Sequence, residues 1–254
     1  MPLPRAIVLR APGTNCDEET VAAWQLAGAD VETAHVDRVL ESPGILDAFQ
    51  LLTIPGGFSY GDDLGAGRIL ATRLGALDDA LRRFHDRGGL ILGICNGFQV
   101  LVKAGLLPGG HRATITHNDS GRFECRWVRL LASSPGRSPF LPDGDPIELP
   151  VAHGEGKFVT ESQEALDALD SAGQLALRYI DDSNRPTESY PSNPNGSPAG
   201  VAGVIDPTGR IFGLMPHPER FVEFIHHPQW TRIAPRPEGD GLRIFRGAVK
   251  AIRG

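Results

Sequence analysis

The feature that most limits what this chain can fold into is a cysteine with one glycine two residues before it and another two residues after it. It lies in the segment Gly93-Ile94-Cys95-Asn96-Gly97. The apolar run 90–92 before it predicts a buried strand of a parallel sheet, and residues 98–104 carry apolar side chains at helical spacing. Glycines at these two positions are typical of a sharp strand-to-helix elbow, where crowding leaves no room for a Cβ atom. The segment therefore predicts an α/β fold.

Two interpretations of Cys95 are open at this level. Free cysteines are among the most buried residue types, so Cys95 could be an inert core side chain. The elbow would instead hold the thiol at the positive end of a helix, which favours the reactive thiolate. Only partner residues elsewhere in the chain can decide between a core thiol and a nucleophile.

Length, composition and charge exclude several classes of protein. With 254 residues and a hydrophobic fraction of 41% the chain can bury a full core, so we predict one domain over residues 1–254. The net charge of −6 arises from acidic and basic residues mixed along the chain, and no basic stripe is present to bind nucleic acid. The first residues do not resemble a signal peptide, and no apolar run approaches the roughly 18 residues of a membrane span. We expect a cytoplasmic protein.

Cysteine and histidine spacing indicates no metal site. The three cysteines, Cys16, Cys95 and Cys125, suit reduced thiols better than a disulfide framework, and none forms a C-x-x-C pair. The adjacent His226 and His227 would diverge by about 100° on a helix, which favours an exposed polar face over ligation. We therefore expect no metal.

The first half of the chain alternates between strand and helix patterns. The predicted strands are 6–9, 31–36, 51–54 and 90–92, and the predicted helices are 15–27, 64–87 and 98–104. Asn15 and Glu18 form the capping pair predicted for the first helix, and Gly28 closes it. This alternation predicts a parallel central sheet flanked by helices, with functional sites beyond the carboxyl ends of its strands. Cys95 and the Gly56-Gly57 loop both lie at such ends.

After about residue 120 the pattern changes to short strands separated by turn-rich loops. The predicted strands of this half are 127–130, 147–149, 175–179, 201–205 and 211–215. They predict a mixed or antiparallel extension of the parallel sheet. Residues 181–198 are rich in Asn, Pro and Ser and predict a surface loop, whereas 240–253 predict a closing helix.

A nucleophilic thiol needs a histidine and usually a carboxylate, and two His-x-Glu pairs compete for that role. His217-Pro218-Glu219 follows a predicted strand that Pro216 and Pro218 must end, and the resulting bend lets Glu219 fold back onto the imidazole. His153-Gly154-Glu155 has the same spacing but is predicted to lie in a loop. Context favours the first pair, although a histidine that only caps a loop is an alternative for both.

Two of these motifs together resemble the class I, triad-type glutamine amidotransferases. They are 93–99, around Cys95, and 216–220, around His217. Further blocks narrow the resemblance to the glutaminase subunits that serve amidation of formylglycinamide ribonucleotide in purine biosynthesis. These blocks are Pro55–Asp62, His117–Ser120, His153–Lys157 and Asn193–Ser197. The resemblance runs from about residue 5 to the C-terminus.

The resemblance implies the reaction and the catalytic residues. Cys95 would attack the side-chain amide of glutamine, His217 would act as acid and base, and Glu219 would orient His217. Ammonia would leave first, and water would then hydrolyse a glutamyl thioester on Cys95 to give glutamate.

The resemblance also implies groups that bind the substrate. The backbone N–H of Asn96 and that of Gly57 or Gly56 would form the oxyanion hole. Gln99 would help to seat glutamine. The segment Asn118-Asp119-Ser120 would reach its α-amino and α-carboxylate groups, although a plain turn explains these residues nearly as well.

The partners follow from a site that this chain lacks. The family's second half-reaction is the ATP-dependent amidation of formylglycinamide ribonucleotide to formylglycinamidine ribonucleotide, yet the sequence has no G-x-x-x-x-G-K-[ST] motif. The resemblance therefore implies that ATP and Mg²⁺ bind a large synthetase subunit, that a small accessory subunit joins the complex, and that this chain carries no cofactor.

Two alternative functions are open at this level. The chain could be a glutaminase that serves a different synthetase, or a non-catalytic redox or stress protein of the same fold.

The chain looks longer than compact members of the family. The extra length falls at 188–192 and 226–237. Both segments are predicted to be surface insertions, which loops accommodate at small entropic cost. Neither overlaps the Cys95 or His217 motif.

Overall fold

The computed structural model describes residues 2–142 and 144–254 as a large sheet flanked by helices, together with a separate pair of strands. The strands are β1 (Arg5–Arg10), β2 (Asp30–His35), β3 (Leu51–Ile54), β4 (Leu90–Ile94), β5 (Ala113–His117), β6 (Glu124–Ala132), β7 (Ile147–His153), β8 (Glu155–Thr160), β9 (Leu177–Tyr179), β10 (Val201–Ile205) and β11 (Ile211–Leu214). The α-helices are α1 (Asp17–Ala27), α2 (Val36–Glu41), α3 (Arg68–Leu74), α4 (Asp78–Asp86), α5 (Asn96–Lys103), α6 (Gln163–Ser171) and α7 (Leu242–Arg253).

The large sheet joins a parallel half to an antiparallel half. Its nine strands run in the order β2-β1-β3-β4-β11-β10-β9-β6-β7. Every pairing from β2 to β11 in this order is parallel, and every pairing from β11 to β7 is antiparallel. The predicted fold class, a parallel central sheet with an antiparallel extension, is confirmed. The separate pair consists of β5 and β8.

The core lies on the inner strands and the helices packed over them. Strands β3, β4 and β11 are buried along their whole length, as inner strands of a covered parallel sheet must be. On one side α1 packs against α7, with the rings of Trp24 and Phe245 edge to face at 4.8 Å. Helix α5 packs close to β11 because Gly213 has no side chain, and a Cβ there would lie 2.1 Å from the ring of Phe98. This close packing holds the start of α5 next to the end of β11.

The predicted cap of the first helix is wrong, although its end at Gly28 is confirmed. The helix begins at Asp17, and the residue before it, Cys16, makes no side-chain capping bond. Asn15 lies outside the helix, where its N–H donates to the carbonyl of Gly56 at 3.4 Å. Its side-chain oxygen, the atom that would form the cap, instead accepts from the thiol of Cys16 at 3.2 Å. Gly28 closes the helix at φ 93°, as predicted.

The single helix predicted over 64–87 is also wrong, because two helices, α3 and α4, occupy its place. Residues before Arg68 cannot continue a helix, since Gly65 and Gly67 have φ of 108° and 72°. A Cβ on Gly67 would lie 2.9 Å from the side chain of Val100 on α5, so this turn packs directly on the elbow helix. A short 3₁₀ turn at Gly75–Leu77 separates α3 from α4.

The second half contains elements that the sequence pattern did not indicate. Strands β5 and β8 and helix α6 were not predicted, and His153 ends a strand instead of lying in a loop. The predicted surface loop 181–198 is wrong over its last part, because Asn193, Asn195 and Ser197 are almost completely buried. Strands 51–54 and 201–205 are confirmed, and the predicted closing helix is α7.

The two predicted insertions differ in how far they leave the core. At 188–192, Tyr190 is exposed and its hydroxyl accepts a bond from Arg126 at 2.7 Å. At 226–237, Trp230 is exposed, but His227 is buried against the ring of Trp127. The expectation of an exposed histidine face is therefore wrong for His227.

No helix in the described part of the chain is both long enough and apolar enough to cross a lipid bilayer.

Candidate active site

Three adjacent parallel strands bring the predicted site residues together. Strand β4 lies between β3 and β11, and all three end on the same edge of the sheet. Cys95 directly follows β4, the Gly56-Gly57 loop follows β3, and His217 lies three residues beyond β11. The Cys95 N–H donates to the carbonyl of Leu214 at 2.8 Å, which ties the elbow to the end of β11. Parallel pairing therefore explains how residues 122 positions apart meet at one edge.

The backbone at Cys95 has the strained conformation of an elbow. Its φ is 50° and its ψ is −105°, outside the regions that a cysteine ordinarily adopts. Both flanking glycines are required sterically. A Cβ on Gly93 would lie 2.8 Å from the carbonyl oxygen of Gly97, and a Cβ on Gly97 would lie 1.8 Å from the carbonyl oxygen of Ile54. The turn thus places Cys95 at the start of α5 with its side chain beside the carbonyl of Ala152, 3.7 Å from Sγ.

His217 and Glu219 form a buried pair. The imidazole Nδ1 lies 2.6 Å from a carboxylate oxygen of Glu219, and both residues are 2% exposed. The 3₁₀ turn Pro218–Arg220 provides the bend that the prolines predicted. The N–H of His217 donates to the carbonyl of Pro150 at 2.8 Å and holds the turn against β7. The other ring nitrogen, Nε2, is buried without a hydrogen-bond partner among the described residues.

The charge on this pair is set by competing effects. Burial disfavours the imidazolium, but negative charge on Glu219 and on the sulfur of Cys95 favours it, and together they hold the pKa of His217 well above its ordinary value. A protonated His217 is therefore the favoured form at neutral pH. Such a ring can donate its Nε2 proton to a leaving group.

A second thiol, Cys16, lies behind His217 and was not singled out by sequence reasoning. Its Sγ is 3.9 Å from Nδ1 of His217 and accepts a bond from the guanidinium of Arg220 at 3.1 Å. The ligand atoms of Cys16, His217 and Glu219 all lie within 4.8 Å of one another, a set of atom types that can bind a divalent cation. Arg220 opposes a cation there, since its own charge already lies against Sγ. No local motif marks Cys16, because 201 residues separate it from His217.

The glycine loop after β3 presents a free N–H beside the nucleophile. The N–H of Gly57 makes no hydrogen bond among the described residues, and Gly57 lines the cavity that holds Cys95. Its φ is 143°, and a Cβ would lie 2.6 Å from the carbonyl oxygen of Gly13. Gly56 lies behind it, where a Cβ would be 2.9 Å from Cε1 of His217. Asn96 is the first residue of α5, so its N–H has no partner within the helix.

The cavity at Cys95 has a volume of about 200 Å³ and carries two carboxylates. Its lining consists of Gly57, Phe58, Asp62, Ala66, Cys95, Gln99, His117, Phe123, Ala152, His153, Gly154 and Glu155. Burial raises the pKa of Asp62, and the nearby Glu155 adds to that rise. Burial lowers the pKa of Lys103, although Glu155 and Asp62 oppose the effect. Sequence reasoning missed Asp62 and Glu155 as pocket residues, although both lie in the blocks that carry the resemblance.

Gln99 lies in the cavity wall and belongs to a side-chain network. Its Nε2 donates to the carbonyl of Glu155 at 2.5 Å, and its Oε1 accepts from the amide of Asn96 at 3.0 Å. The amide of Asn96 also donates to Asp62 at 3.1 Å, and its oxygen accepts from the N–H of Ser59 at 3.2 Å. These bonds hold the start of α5, the β3 loop and the start of β8 in one arrangement.

The residues predicted to reach the α-groups of glutamine are placed outside this cavity. The side chain of Asn118 is buried, and it bonds the carbonyls of Arg122 and His153 and the N–H of Gly156. Ser120 lies in a neighbouring cleft of about 480 Å³. Its hydroxyl accepts from the N–H of Arg122 at 3.4 Å.

His153, the less favoured of the two candidate histidines, is a buried residue of the cavity wall. It is 3% exposed, and its Nδ1 lies 3.1 Å from the side-chain oxygen of Asn118. No bond joins its imidazole to Glu155, whose carbonyl instead accepts from Gln99. Burial, assisted by the positive charge of His217, lowers the pKa of His153 to about 3. His153 is therefore a neutral imidazole at physiological pH.

Comparison with known proteins agrees with this geometry. The profile of the CobB/CobQ-like glutamine amidotransferase domain matches residues 3–251. A phosphoribosylformylglycinamidine synthase subunit PurQ of Dehalococcoides mccartyi is 48% identical over 254 residues, covering 98% of each chain. A PurQ of Treponema denticola is 42% identical, covering 86% of this chain and 88% of that one.

Solved structures show the same fold. PurLQS of Thermotoga maritima aligns with a TM-score of 0.76 and 32% identity, covering 99% of this chain and all of that one. A putative GMP synthase subunit of Thermoplasma acidophilum, 16% identical with a TM-score of 0.62, shares the fold. The resemblance drawn from the motifs is confirmed. The chain belongs to the CobB/CobQ-like glutamine amidotransferase family, in the branch of the PurQ subunits of phosphoribosylformylglycinamidine synthase.

Proposed function

We propose that this chain hydrolyses glutamine and delivers the ammonia to a synthetase that amidates formylglycinamide ribonucleotide. The observation that carries the proposal is the arrangement of Cys95, His217 and Glu219 at the ends of β4 and β11, beside a cavity with a free glycine N–H. The 48% identity to a PurQ subunit, over nearly the full length of both chains, supports formylglycinamide ribonucleotide as the acceptor of the ammonia. It also favours this function over a redox protein of the same fold. We assign this function to a single domain that comprises residues 1–254.

The chemistry follows from the charges in the site. The Cys95 thiolate attacks the side-chain amide carbon of glutamine, and the N–H groups of Gly57 and Asn96 stabilise the oxyanion that forms. The imidazolium of His217 gives its proton to the amide nitrogen, so the C–N bond breaks, ammonia leaves and a thioester remains on Cys95. His217, now neutral, takes a proton from water, which attacks the thioester. Glutamate leaves, and the thiolate and imidazolium are restored.

Glu219 keeps His217 oriented and favours its charged form throughout this cycle. The bond of 2.6 Å to Nδ1 leaves only Nε2 available to the substrate. The pKa of His217, raised above its ordinary value, suits a group that must begin as an acid.

The cavity wall supports a role in binding the free amino acid. Asp62 and Glu155 provide negative charge for the α-ammonium group of glutamine, and Gln99 shapes the wall between them. Asn118 supports the wall through its bonds to β7 and β8. We keep Ser120, which lies in the neighbouring cleft, as a proposed contact of the α-carboxylate of a glutamine that extends beyond the cavity.

The second half-reaction belongs to other polypeptides. The relatives are named as subunits of a synthase, and the similar solved structure is PurLQS. We assign ATP and Mg²⁺ to a large synthetase subunit, and we assign a small accessory subunit to the same complex. The cytoplasm is the proposed location.

The test is glutamine turnover by the full chain, alone and mixed with the synthetase subunit. Glutamate and ammonia should form in equal amounts with the wild-type chain and with Cys125→Ala, which alters an exposed thiol. Cys95→Ala should form neither product. Turnover that persists in Cys95→Ala would contradict the proposed function.

A further inference from the structure

The buried imidazole of His153 has one nitrogen whose role the triad chemistry leaves unassigned. Nε2 is buried and has no hydrogen-bond partner among the described residues. His153 lines the same cavity as Cys95. A buried polar atom without a partner destabilises the fold, so its presence in the wall of a substrate cavity indicates a bond made with the ligand.

The hydrogen-bond network fixes which proton the ring carries. The amide nitrogen of Asn118 donates to two carbonyls, those of Arg122 and His153, at 2.9 and 2.8 Å. Its oxygen accepts from the N–H of Gly156 at 3.0 Å, so this oxygen is an acceptor toward Nδ1 of His153 as well. Nδ1 must therefore carry the hydrogen. Because the ring is neutral, Nε2 carries a lone pair and can only accept.

The protein holds this ring in place closely. A Cβ on Gly156 would lie 2.4 Å from Cε1 of His153, so a glycine is required beneath the ring. The residue before His153 is Ala152, whose carbonyl contacts the sulfur of Cys95. His153 also feels the charge of His217. These contacts place His153 in the cavity wall next to the residue that contacts Cys95.

We propose that Nε2 of His153 accepts a hydrogen bond from the carboxamide N–H of glutamine and thereby distinguishes glutamine from glutamate. Glutamine offers two N–H donors at its side-chain end, and glutamate offers only oxygen lone pairs at neutral pH. An acceptor held here binds the substrate and repels the product. The inference rests on the proposed glutaminase function and adds the residue that makes the site selective.

The experiment measures occupation of the site through protection of Cys95, either by the bound amino acid or by the thioester that glutamine forms. The full chain is treated with iodoacetamide at increasing glutamine or glutamate concentrations, and alkylation of Cys95 is followed by peptide mass spectrometry. The exposed Cys125 serves as an internal control, because neither amino acid should protect it. His153→Leu removes the acceptor. His153→Gln keeps one, since its amide can donate to Asn118 and leave its oxygen toward the cavity.

The expected result is a change in selectivity. In His153→Leu the half-protecting concentration of glutamine should rise about tenfold relative to that of glutamate. In His153→Gln the ratio should stay within about threefold of the wild-type ratio. Equal weakening of both ligands, an unchanged ratio in His153→Leu, or failure of His153→Gln to restore it would overturn the role of His153. Failure of glutamine to protect wild-type Cys95 would instead contradict the glutaminase function itself.

Discussion

Acidification should destabilise this protein through one buried histidine. The pKa of His153 is lowered from 6.5 to about 3 in the folded chain by burial and by His217. Between these values the unfolded chain binds a proton that the folded chain does not, so stability falls as the pH falls through 6.5. Each pH unit in this range costs about 1.36 kcal/mol. From pH 7.5 to pH 4.5 the loss due to His153 is therefore about 2.7 kcal/mol, given an unfolded pKa of 6.5.

The measurement is the free energy of unfolding in urea at these two pH values. In His153→Gln the decrease on acidification should be smaller than in the wild type by about 2.7 kcal/mol. Contributions from the carboxylates and from His217 are common to the wild type and His153→Gln, so they cancel in this difference. Equal decreases in the wild type and His153→Gln would refute a neutral buried ring.

Three further substitutions test separate parts of the site. Gly57→Ala should lower kcat about 10²–10³-fold, because its Cβ would displace the loop that carries the oxyanion N–H. Gly75→Ala is the control, since a Cβ on Gly75 would meet no atom within 4 Å. Equal rates in the two variants would contradict the role of Gly57. Glu219→Gln should lower kcat about 10²–10⁴-fold. It should also move the alkaline limb of the pH profile to lower pH, because the pKa of His217 falls when the charge of Glu219 is removed. An unmoved limb would contradict the pairing of Glu219 with His217. Cys16→Ala should lower kcat about tenfold in a folded chain, because it removes the contact of the Cys16 thiol with His217. Complete loss of activity, as in Cys95→Ala, would contradict a role for Cys16 in positioning His217.

The elbow and its partners were predictable because each rests on a local requirement. Gly93 and Gly97 are needed by backbone contacts close to Cys95, and these requirements are visible as spacing in the sequence. The prolines around His217 end a strand by removing backbone donors, so the bend toward Glu219 was predictable too. The parallel order of strands β3, β4 and β11 then brings these features to one edge.

What sequence reasoning missed depends on contacts between distant residues. Asn15, the predicted cap, lies outside the first helix, and its N–H bonds Gly56, 41 positions away. His153 was placed in a loop because glycines surround Glu155, whereas its pairing with Glu124 makes it the end of β7. Cys16 has no local signal at all, since only the folded chain brings it to His217.

The central claim is that Cys95 carries the glutamyl group during turnover. The most direct test mixes the full chain and its synthetase partner with glutamine, quenches the reaction rapidly in acid and locates the covalent adduct by peptide mass spectrometry. A glutamyl thioester on the peptide that contains Cys95, absent in Cys95→Ala, is the predicted result. An adduct on Cys16, or turnover without any adduct on Cys95, would contradict the mechanism.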